Sequence, residues 1–317
     1  SNNSGYLTEK PSLKALMEIF ESIKVCGEPG FINVQEAMRR RKDFAGMNPC
    51  VSGDTKILTK EYGYIPIREL VDESTTVWNG YEWSIVTPRV TGYDQPMFDI
   101  EFSNGVKLKC TDYHNFVLKG GEEKKANQLQ LGDKLEKHYY PVIEESNLCR
   151  GVDFSKVNPY VAGFYSGDGV TTKQLIWLYG EKRKLKDSFE RYGCEVQEGK
   201  DRDTVHINGC VSKSQVPTVG NSVSDRLEWL AGLLDSDGCV NSKEGSLAIS
   251  SINRDFLDGV LKLLQTLGVT GCIQLMRDSG YRELPKNDGT GECQPYFCNK
   301  SYRLTISVYN TNRLMDL

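Results

Sequence analysis

The sequence predicts a multidomain chain. A short helical leader precedes an all-β module, and an α+β domain built as an internal duplicate closes it. Three observations carry that prediction. The apolar period shifts from about 3.6 residues to two near Cys50, then to alternating helices and strands after Asn158. A nine-residue stretch, Val161-Ala162-Gly163-Phe164-Tyr165-Ser166-Gly167-Asp168-Gly169, recurs as Leu230-Ala231-Gly232-Leu233-Leu234-Asp235-Ser236-Asp237-Gly238, 69 residues later. The 317 residues also exceed one typical domain of roughly 150.

In the leader, apolar residues at Leu13, Leu16, Met17, Ile19, Phe20 and Ile23 follow a helical period over 12–25. Gly27-Glu28-Pro29-Gly30 breaks that helix. Val34 to Phe44 reads as a second, Arg-rich one, which ends before Asn48-Pro49 because the residue preceding proline is pushed out of the α region.

From Cys50 to about Leu148 the alternation has period two. Met97 to Phe102 and Val106 to Cys110 flank Ser103-Asn104-Gly105, a strong short-range hairpin signal. Gly63-Tyr64, Asn79-Gly80, Gly120-Gly121 and Gly132-Asp133 supply further turns, so this is an all-β module of about 100 residues.

Each copy of the repeat leads into a strand region, Leu175–Tyr179 or Leu247–Ser251. A helix then ends at a glycine: Lys182 to Tyr192 before Gly193, and Arg254 to Leu267 before Gly268. Thr204–Ile207 and Arg303–Val308 supply later strands. The expected assembly is a monomer with an internal pseudo-two-fold.

Composition bounds the function. Hydrophobic residues make up 38% and charged residues 26%, as in a water-soluble globular protein. No apolar run reaches about 18 residues, which argues against a membrane span, and the start shows no signal peptide. A cytoplasmic location is the expectation. The net charge of −4 leans away from nucleic acid, but its distribution matters more: residues 50–149 carry 11 basic against 16 acidic side chains, while 150–317 carry 21 of each. Ten cysteines without a C-x-x-C, and three histidines, argue for reduced thiols rather than a structural zinc site.

The repeat carries chemistry. Ala-Gly lets two helices approach closely, and Asp-Gly ends each helix with an exposed carboxylate and a flexible cap. Side by side, the helices bring Asp168 and Asp237 together. Such a pair can hold Mg²⁺, which takes oxygen ligands and assists phosphodiester cleavage. The two nonapeptides resemble the LAGLIDADG motif of DOD-type homing endonucleases. That resemblance implies an α+β pseudo-dimer, αββαββα repeated, whose sheets form a saddle on the major groove of double-stranded DNA, with an intein-less allele of the host gene as substrate. It assigns Asp168 and Asp237 as catalytic metal ligands, and Lys213, ahead of Val216-Pro217, as the base that polarises the attacking water. Lys213 is equally readable as a solvated side chain. Ser166 stands where the motif has its first Asp, so a DNA-binding domain without cleavage is the rival reading. Lys182-Arg183-Lys184-Leu185-Lys186 is a phosphate-contact candidate or a solvated face.

Cys50-Val51-Ser52-Gly53-Asp54-Thr55 resembles the first block of inteins, and Gly105 to His114, with Thr111-x-x-His114, resembles the second. Ala126 to Leu135 is similar to the strand and turn that follow. The fold implied for 50–149 is the N-terminal part of a Hint-type splicing module. The Cys50 thiol would attack the preceding carbonyl. His114 would protonate the departing nitrogen while Thr111 holds the scissile bond. Cys110 reads as a packed small residue. The C-terminal His-Asn that completes splicing is expected on a missing C-terminal intein segment followed by a C-extein. Residues 1–49, with Gly27 to Asn33 and Gly46-Met47-Asn48-Pro49-Cys50, resemble the large chain of ribonucleotide reductase and would be an N-extein. A plain reductase fragment is the rival. The nuclease domain then spans 150–317.

Overall fold

The computed structural model describes residues 4–7, 11–26, 30–33, 51–209, 212–286 and 292–317. The Arg-rich helix expected over Val34 to Phe44, and Cys50 itself, lie outside the described residues.

The leader begins with β1 (Ser4–Leu7), followed by α1 (Leu13–Cys26) and β2 (Gly30–Asn33), which pairs parallel to β1. The apolar period predicted over 12–25 forms α1, started by Ser12, whose hydroxyl accepts from the Ala15 amide at 3.2 Å. The all-β texture then follows. β3 (Lys56–Thr59), β4 (Gly63–Pro66), β5 (Thr75–Trp78) and β6 (Trp83–Val86) make an antiparallel sheet in the order β4-β3-β5-β6. The hairpin expected around Asn104-Gly105 is β7 (Phe98–Glu101) with β8 (Lys107–Cys110). Gly105 turns it at φ +84°, a conformation that strains any side chain. A second hairpin pairs β9 (Asn115–Val117) with β10 (Glu123–Lys125).

By contacts the chain forms two compact units. One gathers Ser1–Ser52, Arg89–Phe98 and Cys110–Leu135; the other gathers Gly53–Pro88, Asp99–Lys109 and Glu136–Leu317. In the second unit the β3–β6 sheet has its own small core, Leu58, Ile143 and Val219, with Trp78, Trp83 and Tyr64 packed against it. The Trp78 indole donates to the Tyr139 carbonyl at 2.7 Å, and the Ser146 hydroxyl to the Glu61 carbonyl at 2.6 Å.

The duplicate lies in the second unit. Its first half is α2 (Pro159–Asp168), β11 (Gly169–Val170), β12 (Leu175–Leu178), α3 (Lys186–Arg191), β13 (Glu195–Gln197) and β14 (Asp203–His206), with sheet order β11-β12-β14-β13. Its second half is α4 (Val223–Asp237), β15 (Gly238–Asn241), β16 (Ser246–Ser251), α5 (Arg254–Thr266), β17 (Cys272–Arg277), the hairpin β18 (Gly280–Pro285) and β19 (Cys293–Cys298), β20 (Ser301–Ile306) and α6 (Val308–Met315). The sheet order β15-β16-β20-β17 repeats the first half's topology once the β18–β19 hairpin is set aside. That hairpin is absent from the expected αββαββα plan. Pro295 in β19 is the reason it escapes a sequence reading, since proline demotes a strand signal.

Inward-facing residues alternate with outward ones along each sheet. Ile176, Leu178 and Val205 of the first, and Ile249, Leu304 and Ile306 of the second, are buried against Phe164, Phe189, Trp229, Leu257 and Leu264. Ordinary hydrophobic burial drives this core. The helix expected from Lys182 differs: Gly180–Leu185 forms a 3-10 segment, and only Lys186–Arg191 is α-helical. Gly180 opens the segment at φ +53°, and its side chains make three ion pairs, Lys182 with Asp168, Arg183 with Asp203 and Lys184 with Glu181.

Arg226 is fully buried in α4. Its guanidinium donates to the Thr266 hydroxyl at 2.9 Å, to the Thr266 carbonyl at 3.3 Å and to the Ile143 carbonyl, so it caps the C-terminal end of α5. Burial pulls the guanidinium below its usual range, opposed by Glu144, Asp225 and Glu145.

Candidate functional site: two carboxylates at a helix crossing

The repeated nonapeptides make up most of α2 and the C-terminal part of α4, each running one glycine past the helix end, and the helices pack together at their inner glycines. A Cβ on Gly163 would lie 1.8 Å from the Trp229 carbonyl oxygen, and one on Gly232 would lie 2.0 Å from that of Tyr160. Trp229 and Gly232 stand 69 residues after Tyr160 and Gly163, so the two contacts are one contact seen from both sides of the pseudo-two-fold. Main chain touches main chain, and only glycine permits that separation.

The caps differ from expectation. Gly169 and Gly238 follow the helices in extended backbone, φ −65° and −75°, rather than as flexible left-handed caps. Glycine is required there by crowding: a Cβ would meet the Tyr165 ring at 2.3 Å and the Leu234 carbonyl at 2.2 Å, respectively.

The crossing brings Asp168 and Asp237 into electrostatic range. Partial burial, with the Asp168 charge behind it, holds the Asp237 carboxyl above the usual range, while Lys182 and Lys213 pull it back. Lys213 thus acts electrostatically on Asp237 from a segment that precedes α4. The Lys182 ammonium lies 2.5 Å from Asp168 Oδ2 and 2.6 Å from the Ser236 carbonyl oxygen. Sequence reading placed Lys182 only within a basic run; the fold makes it part of the carboxylate cluster. The rest of that run is paired internally, Arg183 to Asp203 at 2.8 Å, Lys184 to Glu181, and Lys186 to Glu198 and Glu190.

Ser166 and its repeat counterpart make different contacts. The Ser166 hydroxyl donates back to the Ala162 carbonyl at 3.0 Å inside α2. Its counterpart Asp235 accepts from the Tyr160 hydroxyl at 2.7 Å, a structural tie between the helices. The pair at the helix ends is unaffected by either.

A cleft of about 370 Å³ opens beside Asp168, lined also by Trp177, Tyr179, Glu181 and Lys182. On its rim the Arg202 guanidinium stacks 3.9 Å from the Trp177 ring and donates to the Tyr179 hydroxyl at 2.7 Å. No motif signalled this stack.

The oxygens fit a hard divalent cation. Asp168 Oδ2 and the Ser236 carbonyl already hold a cation, the Lys182 ammonium, with Asp237 alongside.

The second candidate site lies in the other unit. Val51, directly after Cys50, forms an antiparallel bridge with Cys110, the neighbour of Thr111. Thr111 and Cys110 are buried. A tight turn returns the His114 amide to the Thr111 carbonyl at 3.2 Å, and the His114 carbonyl accepts from Ala126 at 2.7 Å. The His114 ring meets Phe116 edge-on at 5.0 Å. The backbone next to Cys50 is thus bridged to Cys110, directly before the turn that carries Thr111 and His114.

Residues 224–316 match the family model of the LAGLIDADG-like domain. The large subunit of ribonucleoside-diphosphate reductase from Invertebrate iridescent virus 6 is 33% identical over 91% of this chain and 32% of its own length. The NrdEB subunit alpha of the Bacillus subtilis (strain 168) enzyme is 26% identical over 84% of the chain and 29% of its own length. The ATP-dependent DNA helicase Hel308 of Methanocaldococcus jannaschii is 24% identical over 81% of the chain and 23% of its own length. This chain spans under a third of each of these relatives. Among solved structures, a mesophilic variant of the homing endonuclease I-DmoI aligns with 52% of the chain and 90% of its own, at 16% identity and a TM-score of 0.35.

Proposed function

We propose that residues 150–317 form a site-specific homing endonuclease that cuts double-stranded DNA with Mg²⁺, and that residues 50–149 belong to an intein splicing module. One observation carries the nuclease: a reciprocal glycine contact between two repeated helices sets two carboxylates close enough that burial and the Asp168 charge raise the Asp237 carboxyl. Acids gathered at one point of a fold with a shifted ionisation mark a candidate functional site.

In this reading Asp168, Asp237 and the Ser236 carbonyl hold the cation. When bound, Mg²⁺ supplies Lewis-acid stabilisation of the oxygens that gain charge as the phosphodiester breaks. Lys213, beside Asp237, orients and polarises the attacking water, and the cleft beside Asp168 receives the phosphate. Arg202, displayed on Trp177 and Tyr179, faces the substrate side of the first sheet.

For the splicing module, the Cys50 sulfur attacks the Pro49 carbonyl carbon. The C–N bond breaks, His114 protonates the leaving nitrogen, and a thioester to Pro49 remains with a free Cys50 amine. Pro49 fixes φ before the junction and slows this shift. Completion requires the C-terminal intein segment and C-extein. The pattern of relatives supports an insert: one chain resembles parts of two reductases and of a helicase over more than four fifths of its length. Proteins of such different chemistry share a passenger more readily than a catalytic domain.

The test is a duplex spanning the uninterrupted host gene, incubated with the chain and Mg²⁺. A double-strand break that disappears in Asp168→Asn and Asp237→Asn is expected. Tight binding with the duplex left intact refutes the nuclease. For splicing, thiol-induced cleavage at Pro49–Cys50, with a complementary C-terminal fragment supplied, is expected in the parent chain and lost in His114→Ala; no cleavage by the parent refutes it.

A further inference from the structure

The two oxygens closest to Lys182 are those the proposed metal requires. Its Nζ lies 2.5 Å from Asp168 Oδ2 and 2.6 Å from the Ser236 carbonyl, so a cationic group already occupies the hard oxygens a divalent ion would need. The arrangement is built rather than incidental. Gly180, at φ +53°, turns the chain out of β12, and the Lys182 amide bonds the Tyr179 carbonyl at 3.1 Å, which aims the side chain back across the helix ends. The ammonium also stands 5.8 Å from the Phe164 ring centroid. About a third of the Lys182 side chain is exposed, on the side of the 370 Å³ cleft. The neighbouring carboxylate Glu181 is taken by Lys184. Ile176 pairs with Gly169 as Ile249 does with Gly238, an offset of 73 beyond the motif, so Lys182 aligns with Asp255, an acid, in the second half.

We propose that Lys182 is an internal cation that fills the metal position until a phosphate draws it away, coupling divalent-cation loading to DNA binding. The inference rests on the nuclease reading and adds an order of events to it. Without DNA, a divalent ion competes with a tethered ammonium for Asp168 Oδ2 and the Ser236 carbonyl. With DNA, a phosphodiester in the cleft offers the ammonium another anionic partner, and both oxygens are released. Linkage is reciprocal, so whatever the duplex adds to metal affinity the metal adds to duplex affinity.

Mn²⁺ reports the coupling without any cleavage assay. The full chain is titrated with Mn²⁺ and free ion is read by electron paramagnetic resonance, with no DNA present. Lys182→Met, which keeps length and removes charge, is expected to tighten Mn²⁺ binding about tenfold, within the usual range of site-to-site coupling. Lys182→Arg is expected to stay near the parent, and Asp168→Asn combined with Lys182→Met to lose the gain. Near-UV circular dichroism checks that each variant is folded, with Lys182→Gln as the substitute should Lys182→Met fail. Adding an uncleavable phosphorothioate duplex should tighten Mn²⁺ on the parent far more than on Lys182→Met. Equal Mn²⁺ affinity of parent and Lys182→Met, to within about twofold, overturns the inference and leaves the nuclease standing. No Mn²⁺ binding by any form, with or without duplex, overturns both.

Discussion

Adding one methyl group at the helix crossing tests the central geometry. In Gly163→Ala the new Cβ would lie 1.8 Å from the Trp229 carbonyl oxygen and 2.7 Å from its carbon. An ordinary carbon–oxygen contact needs about 3.3 Å, so α2 and α4 must separate by roughly 1.5 Å. Backbone cannot rotate away as a side chain can, and the buried core on both sides resists. Overpacking of this kind costs about 1–3 kcal/mol, from which alanine's better helix propensity recovers up to about 1 kcal/mol. The functional cost is larger, because Asp168 and Asp237 ride on the two helix ends; a displacement near 1 Å lowers rates by about 10²-fold. Urea unfolding followed by tryptophan fluorescence, which includes the buried Trp229, measures the first effect, and duplex cleavage the second. Gly259→Ala is the control: its Cβ would meet only the Val216 methyl at 3.2 Å, so α5 should tolerate it or gain stability. A Gly163→Ala chain with unchanged unfolding midpoint and unchanged cleavage would refute the reasoning, since the helices would then not be held apart by a glycine's width.

Three other outcomes follow from the same structure. Arg226→Met removes the donor to the Ile143 carbonyl, while the Thr266 carbonyl keeps its bond from the Ile143 amide at 2.9 Å; one orphaned buried acceptor costs about 1–3 kcal/mol, the loss expected in urea unfolding. Asp203 is held below the usual carboxylate range, chiefly by its hydrogen bonds from Arg183; its contribution is present above the unfolded value of 3.8 and is lost as pH falls through the lower folded value, so Asp203→Asn should flatten the acid limb of the stability profile below about pH 4. Lys213→Met should lower duplex cleavage about 10²-fold or more with little change in duplex affinity, as for loss of a group that assists proton transfer; a change in affinity alone would assign Lys213 to phosphate contact instead.

Much of the architecture was legible because local patterns and global fold agree. The shift in apolar period marks the β-rich stretch, Asn104-Gly105 marks its hairpin, and the nonapeptide repeat marks the two crossing helices. The sequence pattern singled out Asp168 and Asp237, and the fold brings them within electrostatic range of each other. Other features were not legible, for identifiable reasons. The β18–β19 hairpin carries a proline within a strand, so pattern reading passed over it. The Tyr160 hydroxyl's bond to Asp235, the counterpart of Ser166, was not legible because a motif gives identity without environment. Lys182 was one charge among several, and nothing in a run of lysines says which one reaches a carboxylate.

The sequence by itself determined that two equivalent helices exist, that each ends in Asp-Gly, and that small residues line the face where they meet. Those facts follow from periodicity and side-chain size, which are local. Only the tertiary structure decided what the carboxylates experience. Their separation depends on main chain meeting main chain at Gly163 and Gly232, and Lys182 enters from a segment 14 residues beyond Asp168 to contact Ser236 on the other helix. Electrostatic interaction depends on distance through space, so the ionisation of Asp237 and the competition for its neighbour are settled by packing rather than by order along the chain.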